Sequence, residues 1–172
     1  MRAISLLDDQ IPPPIEKSDG PTPVQAEQAF PLLSITATTA AGARITGRIG
    51  DRIGTPDSRV PLDKVSFHPP ADLHPRNIFY CAVLGMHPIY PQQLEHTAWV
   101  TGETSQGVQG NDGPLRGIAI RLTGNAAEQF DCLYSATFVD GSRKLDCRNG
   151  ALCAADNLAA LESFQLSLRP KF

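Results

Sequence analysis

Alternation of apolar and polar residues opens and closes three segments of the chain. In the first segment Ile35, Ala37 and Thr39 alternate with Thr36 and Thr38. A period of two is typical of a strand with one buried face. Similar alternation recurs at 65–67, 80–84, 118–122, 134–138 and 164–168. The pattern predicts three or four short strands in each segment, and it assigns the one helix-like stretch, 151–161, to a loop.

The three segments are copies of one pattern. Residues 35–44 match 134–143 at an offset of 99 positions, and the same offset carries 62–67 onto 161–166 without a gap. A weaker third copy lies between them and spans 38 positions, from 80 to 118, against 30 in the outer copies. It therefore carries about eight extra residues. A repeat of this length predicts a supersecondary unit that stacks on its siblings to bury its apolar face.

Three such units predict an all-β fold. Gly-rich, polar stretches between the alternating segments are expected to form its turns. Closure of the units into a pseudo-threefold body would remove exposed sheet edges, and both a β-prism and a β-trefoil satisfy the pattern. The expected domain covers residues 32–172, with repeats at about 33–69, 80–122 and 132–168.

Residues 1–31 differ from this domain in being rich in proline. They are expected to form an extended tail or linker with polyproline II character. The beginning of the chain lacks the apolar core of a secretory signal, so a cytoplasmic protein is the default expectation and the cell surface is the alternative.

Charge and hydropathy exclude two classes of partner. The net charge of −3 provides no basic surface for nucleic acid. No stretch reaches the roughly 18 apolar residues of a membrane-spanning helix. The length of 172 residues is sufficient for one domain with a substantial core and a tail.

Four cysteines permit three disulfide pairings, and the sequence does not choose among them. They are Cys81, Cys132, Cys147 and Cys153. The last two flank a short turn that contains glycine, so a small disulfide loop between them is geometrically possible. In a reducing compartment all four are expected to be thiols. Their spacing is not C-x-x-C, which argues against a zinc site.

The extra residues of the second repeat bring aromatic, amide and carboxylate side chains into one segment. Sugar rings stack on exposed aromatic faces, and nearby polar side chains bind their hydroxyls. The alternative is that the tryptophan belongs to the core and the tyrosine packs under a loop. The candidate ligand-binding residues are Tyr90, Gln93, His96, Trp99, Asn111 and Asp112.

Two further groups are weaker candidates. Asp51, Asp57 and Arg59 lie at a turn of the first repeat, where solvated charged loops are the simpler interpretation. His68 and His74, with an aspartate between them, resemble ligands of a divalent metal, but three prolines in the same stretch indicate a stiff connector. Enzyme motifs such as a nucleophile elbow, a P-loop or a dinucleotide fingerprint are absent. The sequence therefore predicts no catalytic residue, no metal and no cofactor.

Residues 161–168 read Leu-Glu-Ser-Phe-Gln-Leu-Ser-Leu. This closing segment resembles that of the clostridial hydrophobic W repeat, or ChW domain, whose repeats end in Leu-Glu-Ala-Ile-x-Ile-x-Leu. The openings at 80–83 and 134–138 are similar to the family's, and 99–102 looks like a degenerate form of its Gly-Trp turn. The resemblance covers roughly residues 33–168, although most of the family's tryptophans are missing and Trp99 is the only one.

The resemblance implies a bacterial protein that acts at cell surfaces in adhesion or polysaccharide interaction. Together with the extra residues of the second repeat, it favours a non-catalytic, lectin-like module that binds a glycan or cell-surface polysaccharide through that loop. The alternative is an accessory or structural subunit that docks on a partner protein through its Pro-rich tail. The sequence names neither the ligand nor the oligomeric state.

Overall fold

Antiparallel strands dominate the computed structural model of the chain, which confirms the all-β prediction. The structure describes residues 33–71 and 73–171, so the predicted Pro-rich tail lies outside the described residues. The strands are β1 (Ser34–Thr39), β2 (Arg44–Arg48), β3 (Arg52–Gly54), β4 (Leu62–His68), β5 (Ile78–Met86), β6 (Leu94–His96), β7 (Val100–Thr101), β8 (Val108–Gln109), β9 (Gly117–Leu122), β10 (Phe130–Phe138), β11 (Arg143–Arg148), β12 (Cys153–Ala154) and β13 (Leu161–Pro170).

These strands form three antiparallel sheets, none of which closes on itself within the described residues. The strand orders are β2-β1-β4-β8, β11-β10-β13-β3 and β12-β9-β5-β6, and β7 also pairs with β5. Each sheet takes most of its strands from one predicted repeat and an edge strand from another. The second repeat lends β8 to the first sheet, the first lends β3 to the second, and the third lends β12 to the last.

The long ladders of the first and third repeats have the same register. Ile35 pairs with Phe67, and Tyr134 pairs with Leu166, which are positions 99 apart. Both ladders also shift register at the corresponding place in the copy. The two opening turns agree as well, because the hydrogen bonds of residues 39–43 recur at 138–142.

The match between these repeats contains two one-residue gaps, an insertion and a later deletion, which correct the ungapped alignment expected from the sequence. Gly47 lies opposite Ile35, whereas Cys147 lies opposite Tyr134, so the offset in β11 has grown to 100. The extra residue is accommodated by a bulge at which Asp146 has φ of 55°. A bulge inserts one residue without moving the pairs beyond it. The offset returns to 99 at β13, because the loop before that strand is one residue shorter.

The core lies where the inward faces of the sheets meet. Leu62, Phe67, Leu161 and Leu166 are fully buried, as expected from the alternation. One aromatic ring from each repeat meets near the centre. The Phe67 ring centroid lies 4.5 Å from that of Tyr80 and 6.4 Å from that of Phe164. These separations are typical of favourable aromatic packing.

Backbone hydrogen bonds link the repeats at one end of this core. The Leu115 N–H donates to the Leu62 carbonyl oxygen, and the Leu161 N–H donates to that of Leu115, both at 2.8 Å. All three leucines are fully buried. Residues 110–116, which contribute the middle leucine, also contribute to the candidate site.

Helical structure is limited to short pieces in the described ranges. Residues 151–161 form loop and short strand rather than helix, as predicted. The helix α1 (Gly124–Gln129) between β9 and β10 was not predicted, because six residues are too few to establish a helical period. A 3₁₀ turn, Pro75–Asn77, precedes β5. No helix of the described part has the length and apolar character needed to cross a bilayer.

Candidate functional site

The extra residues of the second repeat form a tip at 87–93, between β5 and β6. The His87 N–H donates to the Gln93 carbonyl oxygen at 2.8 Å, and the Gln93 N–H donates to the Tyr90 carbonyl oxygen at 2.9 Å. Pro88 and Pro91 lie between these residues and restrict φ in the turn. The tip is therefore a compact turn with its own hydrogen bonds.

The side chain of His87 holds this turn from inside. Its Nδ1 atom accepts the backbone N–H of Ile89 at 3.2 Å and that of Tyr90 at 3.1 Å. The His87 ring also contacts the Tyr90 ring, with centroids 5.1 Å apart. Because Nδ1 is the acceptor, the neutral imidazole carries its proton on Nε2.

The tip and the adjoining end of β5 hold large apolar side chains in solvent. Ile89 is 73% exposed, Tyr90 57% and Met86 47%. Tyr90 is thus exposed rather than packed under a loop. Exposed apolar side chains that lie together on a monomer surface mark sites of interaction, and loops on a rigid scaffold often carry binding residues.

A pocket of about 150 Å³ lies beside the base of the same hairpin. Asn111 and Asp112 line it from the loop between β8 and β9, and Leu84 and Glu95 line it from β5 and β6. The remaining charged lining residue is Arg116. The pocket therefore combines two carboxylates, an amide and a guanidinium around a half-buried leucine.

Backbone contacts fix the loop that forms the pocket. The Gly110 N–H donates to the Asp63 carbonyl oxygen at 3.1 Å, and the Arg116 N–H donates to that of Val83 at 2.8 Å. The Arg116 guanidinium donates to the Leu158 carbonyl oxygen at 2.9 Å, which orients the side chain. The pocket walls are thus held by all three repeats.

Trp99 lies apart from this pocket, in a stack on the outer face of the β5–β9 sheet. The Arg121 guanidinium carbon lies 5.0 Å from the Trp99 ring centroid and 5.3 Å from that of Phe79, within the range of a cation–π interaction. Trp99 is half-buried and is not part of the hydrophobic core. Its ring is therefore engaged by an arginine from the same sheet.

The six predicted binding residues thus lie in four places. Tyr90 and Gln93 form the tip, Asn111 and Asp112 line the pocket, and Trp99 lies in the stack. His96 lies on β6, where its Nδ1 is 2.7 Å from the Thr97 carbonyl oxygen. The sequence did not single out Met86, Ile89, Arg116 and Arg121.

The weaker candidates have structural partners. Asp51 accepts the Arg48 N–H at 2.8 Å within its turn. The backbone N–H groups of Asp57 and Arg59 donate to the Glu162 carboxylate, which anchors this loop on the third repeat. The Asp57 carboxylate also lies 3.7 Å from the Arg143 guanidinium.

The two histidines of the connector also have local partners. His68 Nε2 lies 3.1 Å from the Ser66 hydroxyl oxygen, and His74 Nδ1 accepts the Arg76 N–H at 3.2 Å. The intervening aspartate lies outside the described residues. Among the residues that are described, no three His, Cys, Asp or Glu side chains gather as ligands of a metal ion would.

No family model, curated protein or solved structure matches this chain. The side chains themselves indicate what the site can bind. Asn111 and Arg116 can donate hydrogen bonds, Glu95 and Asp112 can accept them, and the Tyr90 ring offers an apolar face. The site therefore offers hydrogen-bond donors, hydrogen-bond acceptors and one apolar ring face.

Proposed function

We propose that the protein is a non-catalytic binding module for a glycan or cell-surface polysaccharide, which it contacts through the tip and the adjacent pocket of the second repeat. The observation that carries this proposal is the exposed Tyr90, held in place by the His87 side chain. An aromatic ring fixed before binding loses little conformational freedom when a sugar ring stacks on it.

The polar pocket supports the same function. Its volume of about 150 Å³ lies below the roughly 300–1,000 Å³ of sites that enclose a drug-sized ligand. It suits the substituents of one sugar unit while the rest of a polymer lies along the surface. Carboxylate, amide and guanidinium groups in the pocket would bind the hydroxyls, and the resemblance to ChW repeats favours the same class of ligand.

We also propose that the three sheets pack as the sides of a pseudo-threefold prism. Each sheet ends in a strand from a different repeat, and the donations follow one another cyclically. Three separate sheets of four or five strands favour a prism over a trefoil. On such a scaffold an insertion in one repeat leaves the other two copies unaltered. The tip of the second repeat can therefore carry a function that the other copies lack.

An accessory subunit is the second candidate function. Met86 and Ile89 are exposed next to Tyr90, and aliphatic side chains at such a position favour a protein partner over a sugar. In this alternative the tip docks on a partner protein in a larger assembly. The Pro-rich tail, which the sequence suggested as a docking segment, lies outside the described residues.

A glycan array with purified full-length protein tests the first proposal. Tyr90→Ala and Asp112→Asn should each weaken binding roughly tenfold, because the first removes the stacking surface and the second replaces a charged hydroxyl acceptor by a neutral, weaker one. Leu145→Ala is the matched control, since Leu145 is 68% exposed on a different repeat, and it should bind as the wild type does. Ile89→Ser should weaken glycan binding much less than Tyr90→Ala does.

The accessory subunit would give a different pattern. Ile89→Ser would then abolish capture of the partner protein, whereas Asp112→Asn would have little effect. A wild-type protein that binds no glycan on the array, or a Tyr90→Ala variant with unchanged glycan affinity, would contradict the glycan proposal.

A further inference from the structure

Cys147 and Cys153 lie at the two ends of a tight turn, on β11 and β12. Both are buried, at 7% and 0% exposure, and all four cysteines of the chain are free thiols. β11 belongs to the sheet of β10 and β13, whereas β12 belongs to the sheet of β5 and β9. The pair is therefore placed where two sheets meet.

The first repeat indicates that side chains at these two places face each other. Gly47 and Ile53 occupy the positions that correspond to Cys147 and Cys153. A Cβ atom added to Gly47 would lie only 2.6 Å from Cδ1 of Ile53. The third repeat has a larger residue at the first position and a smaller one at the second, and its two thiols are in hydrogen-bond contact.

The two thiols shift each other's pKa in opposite directions. A hydrogen bond from Cys153 lowers the pKa of the Cys147 thiol, with a smaller contribution from the Lys144 ammonium, while burial opposes ionisation. The same hydrogen bond, together with burial, raises the pKa of the Cys153 thiol. Cys147 is therefore the member of the pair that ionises first, and the thiolate is the nucleophilic form.

The other two cysteines lack this activation. Cys132 Sγ donates to the Ile120 carbonyl oxygen at 3.9 Å, and burial raises the pKa of its thiol to about 12. Burial likewise raises the pKa of the Cys81 thiol to about 11, with the Arg121 guanidinium opposing the shift.

We propose that Cys147 and Cys153 form a reversible intrachain disulfide when a small disulfide oxidant, such as oxidised glutathione, is present. The Cys147 thiolate attacks one sulfur of the oxidant, whose S–S bond breaks, and the first thiolate leaves. Cys153 then loses its proton and attacks the Cys147 sulfur of the mixed disulfide, which releases the second thiolate. Two electrons pass from the cysteine pair to the oxidant, and the two cysteine protons balance its two product thiols.

The turn between the cysteines is already held in place for this bond. The Gly150 N–H donates to the Ile120 carbonyl oxygen at 2.8 Å, and the Asn149 side chain accepts the Leu122 N–H at 2.7 Å. The Tyr134 hydroxyl donates to the Arg148 carbonyl oxygen at 3.2 Å. Because β11 is an edge strand, local opening of that edge admits a small oxidant to Cys147.

The test is oxidation of the folded full-length chain with oxidised glutathione, followed by alkylation, trypsin digestion and mass spectrometry without reduction. The disulfide should join peptides 145–148 and 149–171, because trypsin cleaves between the two cysteines. It should also raise the melting temperature by roughly 5–10 °C, as expected for closing a loop of this size. Reductant should reverse both changes.

Variants separate the pair from the other thiols. Cys132→Ser should retain the linked peptides and the temperature shift, whereas Cys147→Ser and Cys153→Ser should lose both. Four alkylated thiols after oxidation, a linkage that includes Cys81 or Cys132, or a glutathione adduct that persists on Cys147 would each overturn the proposal. These three outcomes are measured on the wild-type chain, so they do not depend on whether a variant folds.

Discussion

At the scale of single residues, Glu162 connects two repeats. Its side chain is almost completely buried, at 1% exposure. The carboxylate accepts the N–H of Asp57 at 2.8 Å, the N–H of Arg59 at 3.1 Å and the Thr137 hydroxyl at 3.0 Å. Both loop residues have positive φ, 61° and 59°. This conformation is unfavourable for residues that carry a side chain. The carboxylate therefore stabilises this loop.

Glu162→Ala should lower the free energy of unfolding by at least about 1.5–3 kcal/mol, the contribution of one hydrogen bond to a charged group. The reason is that three donors, among them the buried Thr137 hydroxyl, lose their acceptor. Urea denaturation measures the change. Glu128→Ala is the control, because Glu128 is exposed on α1, and it should change the stability by less than about 0.5 kcal/mol. Equal stability of the two variants would show that the loop does not depend on the carboxylate.

The Asp140 carboxylate is a second single residue whose contacts matter, because it makes the stability of the fold depend on pH. Its carboxylate accepts the Ser142 hydroxyl at 2.6 Å, the Ser142 N–H at 2.9 Å and the Asn157 amide at 2.7 Å. These bonds, the Ser142 hydroxyl most of all, lower the pKa of Asp140 below its ordinary 3.8. The unfolded chain therefore binds the proton more readily, and the ionised carboxylate contributes stability that is lost as the pH falls through the folded-state value.

Asp140→Asn should accordingly be less stable than the wild type at about pH 6, and the difference should shrink below about pH 4, where the carboxyl of the unfolded chain is protonated. Thermal unfolding across this pH range measures it. Asn157→Ala removes one of the donors and should reduce the pH-dependent part. A difference that is the same at both pH values would contradict the role of the charge.

The sequence predicts the buried residues better than it predicts their polar partners. Leu62, Phe67 and Leu166 follow an alternation that depends only on each strand, so their burial could be predicted. Glu162 lies in the same closing motif, but its burial depends on a loop about a hundred positions away. Trp99 was grouped with Tyr90 by sequence distance, yet it stacks on Arg121, which no local pattern links to it.

At the scale of elements, the tip at 87–93 is an addition to the β5–β6 hairpin. Its hydrogen bonds are largely internal, and its large side chains point into solvent. The sequence predicted where the extra residues are, because the outer copies lack them. It did not predict the pocket, which forms only when residues 110–116 fold back against β5 and β6.

Replacing residues 88–92 by Asn-Gly should leave the protein folded with nearly the same melting temperature, since the pair His87 and Gln93 already closes the hairpin and Asn-Gly favours a two-residue turn. Ligand binding should be lost together with Tyr90. Calorimetry and the glycan array measure the two effects. His87→Ala is the partner variant, which keeps Tyr90 but removes its brace, and it should weaken binding without abolishing it. A shortened chain that unfolds would identify the tip as structural.

At the scale of the whole molecule, the exchange of edge strands makes the repeats depend on one another. β3 pairs with β13, β8 with β4, and β12 with β9. These exchanged strands have only two or three residues, too few for any period to be detected in the sequence. The repeat predicted the three units, whereas the pairing between them could not be predicted. The exchange implies that the three sheets unfold together.

Gly54 lies at one of these exchanges and tests that cooperativity. Its φ is 89°, and a Cβ atom there would overlap the Glu162 carbonyl oxygen of β13. Gly54→Ala should therefore cost more than about 2 kcal/mol, since both the positive φ and the clash oppose it. Gly141→Ala is the matched control, with φ of 87° and open space around it, and it should cost about 1 kcal/mol.

The only tryptophan, Trp99, reports on a different sheet from the one that contains β3. If the sheets unfold together, Gly54→Ala should move the tryptophan fluorescence transition and the far-ultraviolet circular dichroism transition to the same lower denaturant concentration, because coincident probes indicate a two-state process. A tryptophan transition that stays at the wild-type midpoint, while part of the dichroism signal is lost earlier, would mean that the β5–β9 sheet is stable without its neighbours. The exchanged strands would then join units that fold independently.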